Sequence, residues 1–427
     1  MNVLIIGSGA REHTIAWKLR QSPRLGDLYA APGNPGTAEL GTNLPLADSD
    51  FDRIVRACRE HRIDLVVGGN EDPLAAGLVD RLAVEGIAAF GPTKAAAEIE
   101  SSKVFAKELM ASHGIATAPF AVFSDVAAAR AYVEEQAGPL VVKADGLTRG
   151  KGVIVCTSTD EALEALQAIM VRREFGPSGD RVVIEQRLSG REVSAHAFTD
   201  GRTVAHMPFS CDHKPVFDGD RGPNTGGMGA YSPPGWLDDK MAQAIRSDVT
   251  EAAIRAGMAE GRPYRGVLYP GLMITDDGPQ VLEFNCRLGD PEAQVLLPRL
   301  ESDLLDVLWA VANNRLHDVD LRWADAACVA VVLASGGYPG DYQTGLPIEG
   351  LSDLDPDVLV FQAGTRRAED GMLVTAGGRV LTVAATGPTM AEAREKAYRN
   401  VERIRFQGVH YRRDIGAAHS AAAVKGA

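Results

Sequence analysis

The first hundred residues alternate short apolar runs with helical patterns, and no other feature of the chain restricts its fold as strongly. Val3 to Ile6 reads as a buried strand, followed by a glycine turn and a helix from His13 to Arg20. Leu28–Ala31, Leu65–Val67 and Ile87–Phe90 repeat the strand signal, with a helix through Ile54–Glu60 between them. Alternating strands and helices build a parallel sheet with helices on both faces. The spacing predicts an open α/β domain at the N-terminus.

Character changes near Ser101. Residues 102–112 read as a helix, and strands then crowd together at Phe120–Phe123, Leu140–Lys143, Gly152–Cys156 and Val182–Gln186, with a helix from Glu161 to Met170. That is the pattern of an α+β lobe. Residues 193–290 mix strands with a long glycine- and proline-rich stretch, and Met241–Gly257 and Asp303–Asn313 read as helices. The last hundred residues are strand-rich, at Ala327–Ala334, Val358–Gln362, Met372–Thr375 and Val380–Gly387. A chain of 427 residues exceeds one ordinary core, and roughly two to four domains are expected at that length. The divisions fall at 1–101, 102–318 (with a mobile lobe at about 118–189) and 319–427, where HSAAAVKGA reads as a disordered tail.

A net charge of −13 argues against a general nucleic-acid or anionic-membrane surface, because neither attracts an acidic protein. Anionic substrates must then meet local donors. Five cysteines are scattered without a close pair, which suits reduced thiols in a cytoplasm rather than a disulfide framework or a zinc site. The chain starts without a charged leader, and no apolar run approaches the roughly 20 residues that span a bilayer. A cytoplasmic monomer or weak homodimer is expected.

Four segments carry chemistry. GSGAREH (Gly7–His13) follows the first strand and opens a helix, where backbone N–H groups can approach a phosphate. Glu12 stands where a dinucleotide site has its third glycine, and no acid ends the second strand, so NAD is not expected; a purely structural turn is equally compatible with this motif. KADGLTRGKGV (Lys143–Val153) ends a strand in lysine and continues into a loop rich in glycine and cations, able to fold over a triphosphate. It is not a P-loop, and its bland counterpart is a solvated basic hairpin. VLEFNCRLGDPE (Val281–Glu292) places Glu283, Asn285 and Arg287 on one strand face, with Leu282, Phe284 and Cys286 on the other. An acid, an amide oxygen and a guanidinium in a row can hold a hard cation beside an anion donor; an edge strand with a solvated polar face is the alternative. Asp212–Tyr231 (DHKPVFDGDRGPNTGGMGAY) is too long for a turn and reads as a binding loop. EQRLSGRE (Glu185–Glu192) ends a strand, turns and restarts, so its backbone can meet an adenine edge and Glu192 a ribose, although alone it is only a charged hairpin.

Together these segments resemble the ATP-grasp superfamily, in which two α+β lobes clamp ATP, and within it the phosphoribosylamine–glycine ligases. The likeness runs through GSGAREH, APGNPG (Ala31–Gly36), KADGLTRGKGV, DHKPVFDGDRGPNTGGMGAYSP, NCRLGDPEAQ, YPGDYQTG (Tyr338–Gly345), VFQAGT (Val360–Thr365) and HYRRDIG (His410–Gly416). It implies an ATP-grasp fold, α/β and α+β, with an N-terminal open parallel domain and a C-terminal strand-rich one. It also implies that Lys103 and Lys143 bind ATP phosphates, with the loop through Gly146, Gly150, Lys151 and Gly152 closing over them. Glu185 and Leu188 would frame adenine and Glu192 the ribose. Glu283 and Asn285 would hold Mg²⁺ or Mn²⁺, and Arg287 would join Lys143 as a catalytic group. Asp212, Lys214, Asn224, Thr225, Gly226, Gly227, Met228, Arg287 and Asp290 would line the substrate side, with Gly9 and Glu12 facing the sugar phosphate.

Several positions depart from the family pattern. Gly69-Asn70-Glu71 replaces Gly-Pro-Glu, which frees that turn. Leu288 replaces phenylalanine, and Lys214-Pro215 replaces Lys-Arg. The strand at Tyr269–Leu272 lacks the acid that many ATP-grasp enzymes place there, so nucleotide and water must complete the metal shell. The implied reaction activates glycine as an acyl-phosphate, because a free carboxylate has no usable leaving group, and the amine of phosphoribosylamine then attacks. Another ATP-grasp carboxylate–amine ligase, or a nucleotide-binding regulator without activity, are the competing readings.

Overall fold

The computed structural model describes residues 1–148 and 151–417. Gly150 and the tail segment HSAAAVKGA lie outside the described residues. The N-terminal sheet has five parallel strands in the order Thr42–Asn43, Leu28–Pro32, Val3–Gly7, Leu65–Gly68, Ala88–Phe90. Four of these match the expected strands. Thr42–Asn43 has no apolar run, and so it gave no signal. Val3–Gly7 is buried along its whole length, as a central parallel strand covered on both faces must be. One face packs on Phe51–Glu60 and Leu78–Val84 through Leu4, Ile6, Ile54, Cys58 and Leu82. The other packs on Ala10–Leu19 and on Leu304–Ala312, a helix supplied from far along the chain.

The lobe between residues 120 and 186 is a four-stranded antiparallel sheet in the order Phe120–Phe123, Val182–Gln186, Leu140–Ala144, Val153–Cys156. Helices Val126–Gln136 and Thr159–Leu166 cover one face, burying Ala129, Val133, Ala162 and Leu166 against Val142 and Ile184. The other face turns toward the rest of the molecule.

A third sheet centres on the long strand Gly266–Thr275, which pairs with Arg191–Ser194, Ala197–Thr199 and Gly278–Asn285. The last sheet runs Cys211–Asp212, Gly229–Ser232, Ala327–Ala334, Arg379–Gly387, Leu359–Gln362. Its first two strands come from the long glycine-rich segment, so the sheet reaches across the division expected near residue 318. Helix Met390–Val401 covers it, burying Ala393, Ala397 and Val401. The HYRRDIG motif fastens the glycine-rich segment down. Arg412, with no exposed side-chain surface, binds Asp220 and Asp414 at 2.7 Å each and the Pro215 carbonyl at 3.0 Å. All five cysteines are buried and unpaired. No described helix is long and apolar enough to cross a membrane.

Candidate active site

Residues from the N-terminal domain, the lobe and the two remaining sheets meet around a cavity of about 330 Å³. Its walls include Lys103, Lys143, Gly146, Asp212, Lys214, Thr225, Gly226, Glu283, Asn285, Arg287 and Asp290, residues expected at one site from motifs spread over nearly 190 positions.

A bulge organises the middle of the cavity. Gly271 pairs with Glu283, but its neighbour Leu272 pairs with Val281, which leaves Leu282 as the extra residue. A bulged residue loses its ladder bond and turns its strand. The freed Leu282 carbonyl accepts from Lys143 Nζ at 2.9 Å. Leu282 thus lines the cavity with Glu283 instead of facing away from it, which corrects the simple alternation read from the sequence. Phe284 and Cys286 do enter the core.

At one end stand three lysines. Lys143 Nζ lies 2.6 Å from Glu185, and Lys107 lies 2.5 Å from the same carboxylate. The side chains of Lys107, Lys143 and Glu185 are almost fully buried. Burial would push the Glu185 carboxyl up, but the two ammonium groups outweigh it and hold the acid below its usual range. Burial drives Lys107 down to about 8 despite Glu185. Lys103 Nζ donates to the Gly146 carbonyl at 2.9 Å, and burial lowers it as well. Lys107 carried no motif, although it stands four residues after Lys103 on one helix and so shares its face.

At the other end the charges alternate. Arg287 binds Glu71 at 2.8 Å and Glu100 at 3.1 Å. Glu100 also accepts the Cys286 N–H at 2.7 Å. Arg11 approaches Glu71 at 4.0 Å, binds Glu12 at 2.7 Å and donates to the Leu288 carbonyl at 3.1 Å. Burial alone would raise Glu71, yet Arg287 and Arg11 bring it to about 2. Glu100 is raised, its burial outweighing Arg287. Neither acid was singled out in the sequence, where Glu71 shows only as a turn residue and Glu100 lies just before the change of character near Ser101.

Several expected residues sit elsewhere. Glu12 accepts the Gly9 N–H at 2.6 Å and Arg11 at 2.7 Å, so both its oxygens are used in closing its own turn. That is a helix-capping arrangement, and neither Gly9 nor Glu12 lines the cavity. Met228 is fully buried with Val216 and Ala334, and it holds the loop from beneath. Gly227 packs under the same loop, where an added Cβ would lie 2.5 Å from Pro291. Asn224 is exposed on a strand edge opposite Pro215. Lys151 is exposed, while Gly152 is buried against Thr148. Leu188 is half-buried away from the cavity, and Glu192 reaches back to Lys214 at 3.4 Å. Lys214 also meets Asp212 at 3.1 Å. Glu185 turns its carboxylate inward to the lysines.

Beneath the Leu288–Glu292 turn lies a buried polar cluster. Glu292 accepts the Tyr269 hydroxyl at 2.5 Å and Ser194 at 3.2 Å. His196 stacks on Tyr269 with ring centroids 4.1 Å apart, and its Nε2 accepts the Gly289 N–H at 3.3 Å. Burial, then Arg287, push His196 down to about 3, so the ring is neutral with its proton on Nδ1.

The comparisons with known proteins follow this geometry closely. Residues 1–100 match the N domain of phosphoribosylglycinamide synthetase, residues 101–293 its ATP-grasp (A) domain and residues 328–418 its C domain. The chain belongs to the phosphoribosylglycinamide synthetase family. A phosphoribosylamine–glycine ligase of Halalkalibacterium halodurans is 49% identical over 97% of this chain and 96% of its own length. The crystal structure of the phosphoribosylamine–glycine ligase of Thermotoga maritima superposes with a TM-score of 0.86 at 36% identity, covering 97% of this chain and all of that one. The biotin carboxylase domain of Hydrogenobacter thermophilus 2-oxoglutarate carboxylase, solved with magnesium ADP and bicarbonate, shares the ATP-grasp fold. Its TM-score is 0.75 at 16% identity, over 96% of this chain and 91% of that one. Asn70, where the resemblance led us to expect proline, has φ −118°, well away from the roughly −65° that proline requires. Its amide donates to Asp48 at 3.0 Å, and Glu71, the partner of Arg287, follows it directly.

Proposed function

We propose that this chain uses ATP to join glycine to phosphoribosylamine through glycyl phosphate, giving glycinamide ribonucleotide, ADP and phosphate, a step of purine biosynthesis. The observation that carries the reading is the order of groups along one strand and the turn after it. Leu282 meets Lys143, Glu283 and Asn285 follow at the cavity wall, and Arg287 ends the row between two carboxylates. A phosphoryl donor at the lysine end would therefore have its terminal phosphate directed toward Arg287.

In this reading Lys103 and Lys143 neutralise ATP phosphates, and Gly146, Lys151 and Gly152 help to cover them. The hinge backbone from Glu185 to Leu188 frames the adenine at the edge of the cavity, with Glu192 at the ribose. The hard-cation site fits the residues present. Asn285 donates through its amide nitrogen to the Tyr269 carbonyl at 3.4 Å, which leaves its oxygen for the cavity beside Glu283. Among the described residues no group of three or more acids, histidines or cysteines could hold a metal alone, so nucleotide and water complete the shell. A bound Mg²⁺ or Mn²⁺ supplies charge neutralisation for the phosphates. Arg287, already oriented by Glu71 and Glu100, presents its remaining donors to the glycine carboxylate and the acyl-phosphate without needing to reorganise. Asp212, Lys214 and the turn Asn224–Met228 enclose the second substrate together with Asp290, while Gly9 and Glu12 shape the N-terminal turn behind it. Closure of the cavity keeps water from the acyl-phosphate. We place the domain divisions near residues 101 and 318, and we infer a cytoplasmic monomer or weak homodimer from composition and the reduced thiols.

The test is ADP release with Mg²⁺, ATP and glycine, with and without freshly made phosphoribosylamine. Release that needs both glycine and the amine is the expected result. Release driven by a different acid or amine would overturn the substrate assignment, and no release under any pairing would overturn the activity.

A further inference from the structure

The C-terminal unit sends one side chain into the cavity that no motif pointed to. Arg379 begins the strand Arg379–Gly387 and lines the cavity wall with its side chain about three-quarters buried. Its Nη1 donates to the Gly226 carbonyl at 2.7 Å and to the Asp290 carbonyl at 2.6 Å, and its Nη2 lies 3.3 Å from the Asp290 carboxylate. One planar fork thus ties the glycine-rich loop to the Leu288–Glu292 turn. Gly226 permits this approach, because an added Cβ would sit 3.1 Å from the guanidinium carbon. A second tie comes from the same unit, since the Gly226 N–H donates to the Tyr338 hydroxyl at 3.1 Å. Tyr338 lies so close over Gly378 that a Cβ there would be 2.3 Å from its ring.

At Asp290 the N-terminal domain and the C-terminal sheet converge on the Leu288–Glu292 turn. Its carboxylate lies 3.5 Å from the position a Cβ would take on Gly9, and Gln294 donates to it at 2.8 Å. Burial would raise this acid, but Arg379 and then Arg11 hold it below its usual range. Among the described residues, the side-chain hydrogen bonds of Arg379 fall on the glycine-rich loop and the Leu288–Glu292 turn. Lys103 and Lys143 make theirs on Gly146, Glu185 and Leu282.

We propose that Arg379 is a positioning residue for the amine-bearing substrate, fixing Thr225–Gly227 and Asp290 in place without taking part in ATP binding or glycine activation. The inference rests on the ligase reading above, which gives the cavity its two ends. If it holds, losing the fork loosens one end and spares the other. A charge-assisted hydrogen bond of this kind carries enough energy that Arg379→Gln should raise the KM for phosphoribosylamine about tenfold or more. The KM values for ATP and glycine should stay within about twofold. Arg379→Lys, which keeps the charge but not the fork, should fall between. Tyr338→Phe removes only the hydroxyl and should shift the amine KM in the same direction by a smaller factor, so it carries the test should Arg379→Gln fail to fold.

Equal shifts in all three KM values would mean that Arg379 only supports the fold, and an unchanged amine KM would remove its role; either result overturns the inference while leaving the ligase reading intact. A wild-type protein with no amine-dependent ADP release would instead overturn the ligase reading, and the inference with it.

Discussion

The two ends of the cavity hold similar numbers of cations but balance them differently. Lys107 and Lys143 share one buried acid, Glu185, while the nearest negative charges to Lys103 are Glu283 and then Asp145. Arg11, Arg287 and Arg379 alternate with Glu12, Glu71, Glu100 and Asp290. An excess of lysine charge attracts a polyanion such as a triphosphate, which an acidic protein would otherwise repel. Arginines already matched by carboxylates add little attraction, but their guanidinium planes are fixed before substrate arrives. One end is built for charge and the other for orientation.

The sharpest break of that contrast is at the lysine end. Lys143→Ala should lower kcat/KM for ATP by at least about a hundredfold. It also strips a partner from buried Glu185, so a loss of about 3 kcal/mol of stability is expected. Steady-state kinetics and denaturant unfolding read the two effects separately. Unchanged ATP kinetics would mean that the lysine end does not take the nucleotide.

At the arginine end, Glu100→Gln removes a negative charge yet keeps an acceptor for the Cys286 N–H. If orientation matters there, kcat should fall roughly tenfold although the site has become more positive. A lower KM for glycine with kcat unchanged would mean that this end also works by simple attraction. Glu71→Gln offers the same comparison from the other side of Arg287.

A third prediction concerns acid. His196 and His13 have folded-state pKa values of about 3 and about 4, below the free value of 6.5, chiefly because both are buried. The unfolded chain therefore binds more protons between those values and 6.5, and stability falls as the pH drops through that window. Each ring can contribute a slope of up to about 1.4 kcal/mol per pH unit. Melting temperatures of the wild type and His196→Asn between neutrality and mild acid should show a shallower decline in the variant. Parallel declines would remove His196 from the account.

The smallest effect is expected at Asn70. Asn70→Pro gives up the Asp48 bond and pulls φ toward the value proline demands, so kcat/KM should change by less than about threefold. A larger change would show that this turn sets the position of Glu71, and through it Arg287.

Much of this was legible in the sequence, for definite reasons. Val3–Ile6 and Leu65–Val67 are uninterrupted apolar runs in a region of strand-helix alternation, so the parallel sheet followed directly. Lys143, Glu283, Asn285 and Arg287 stood in contiguous motifs, and the structure gathers them at one cavity. What stayed hidden depended on tertiary contact. Arg379 and Glu100 carry no local pattern, because their partners lie 89 and 186 residues away. The bulge at Leu282 breaks the alternation that a strand's period suggests, and only its pairing with Gly271–Leu272 reveals it. Glu12 could be read as a ligand until its two oxygens were found closing its own turn. Thr42–Asn43 is too short and polar to register as a strand.

The central claim is that glycine is activated as an acyl-phosphate in the space between the lysines and Arg287. The most direct measurement supplies glycine labelled with heavy oxygen in its carboxylate, together with ATP and phosphoribosylamine, and weighs the phosphate released. The account predicts that each phosphate carries one labelled oxygen, transferred when the carbon–oxygen bond of the acyl-phosphate breaks. Unlabelled phosphate formed alongside glycinamide ribonucleotide would contradict it.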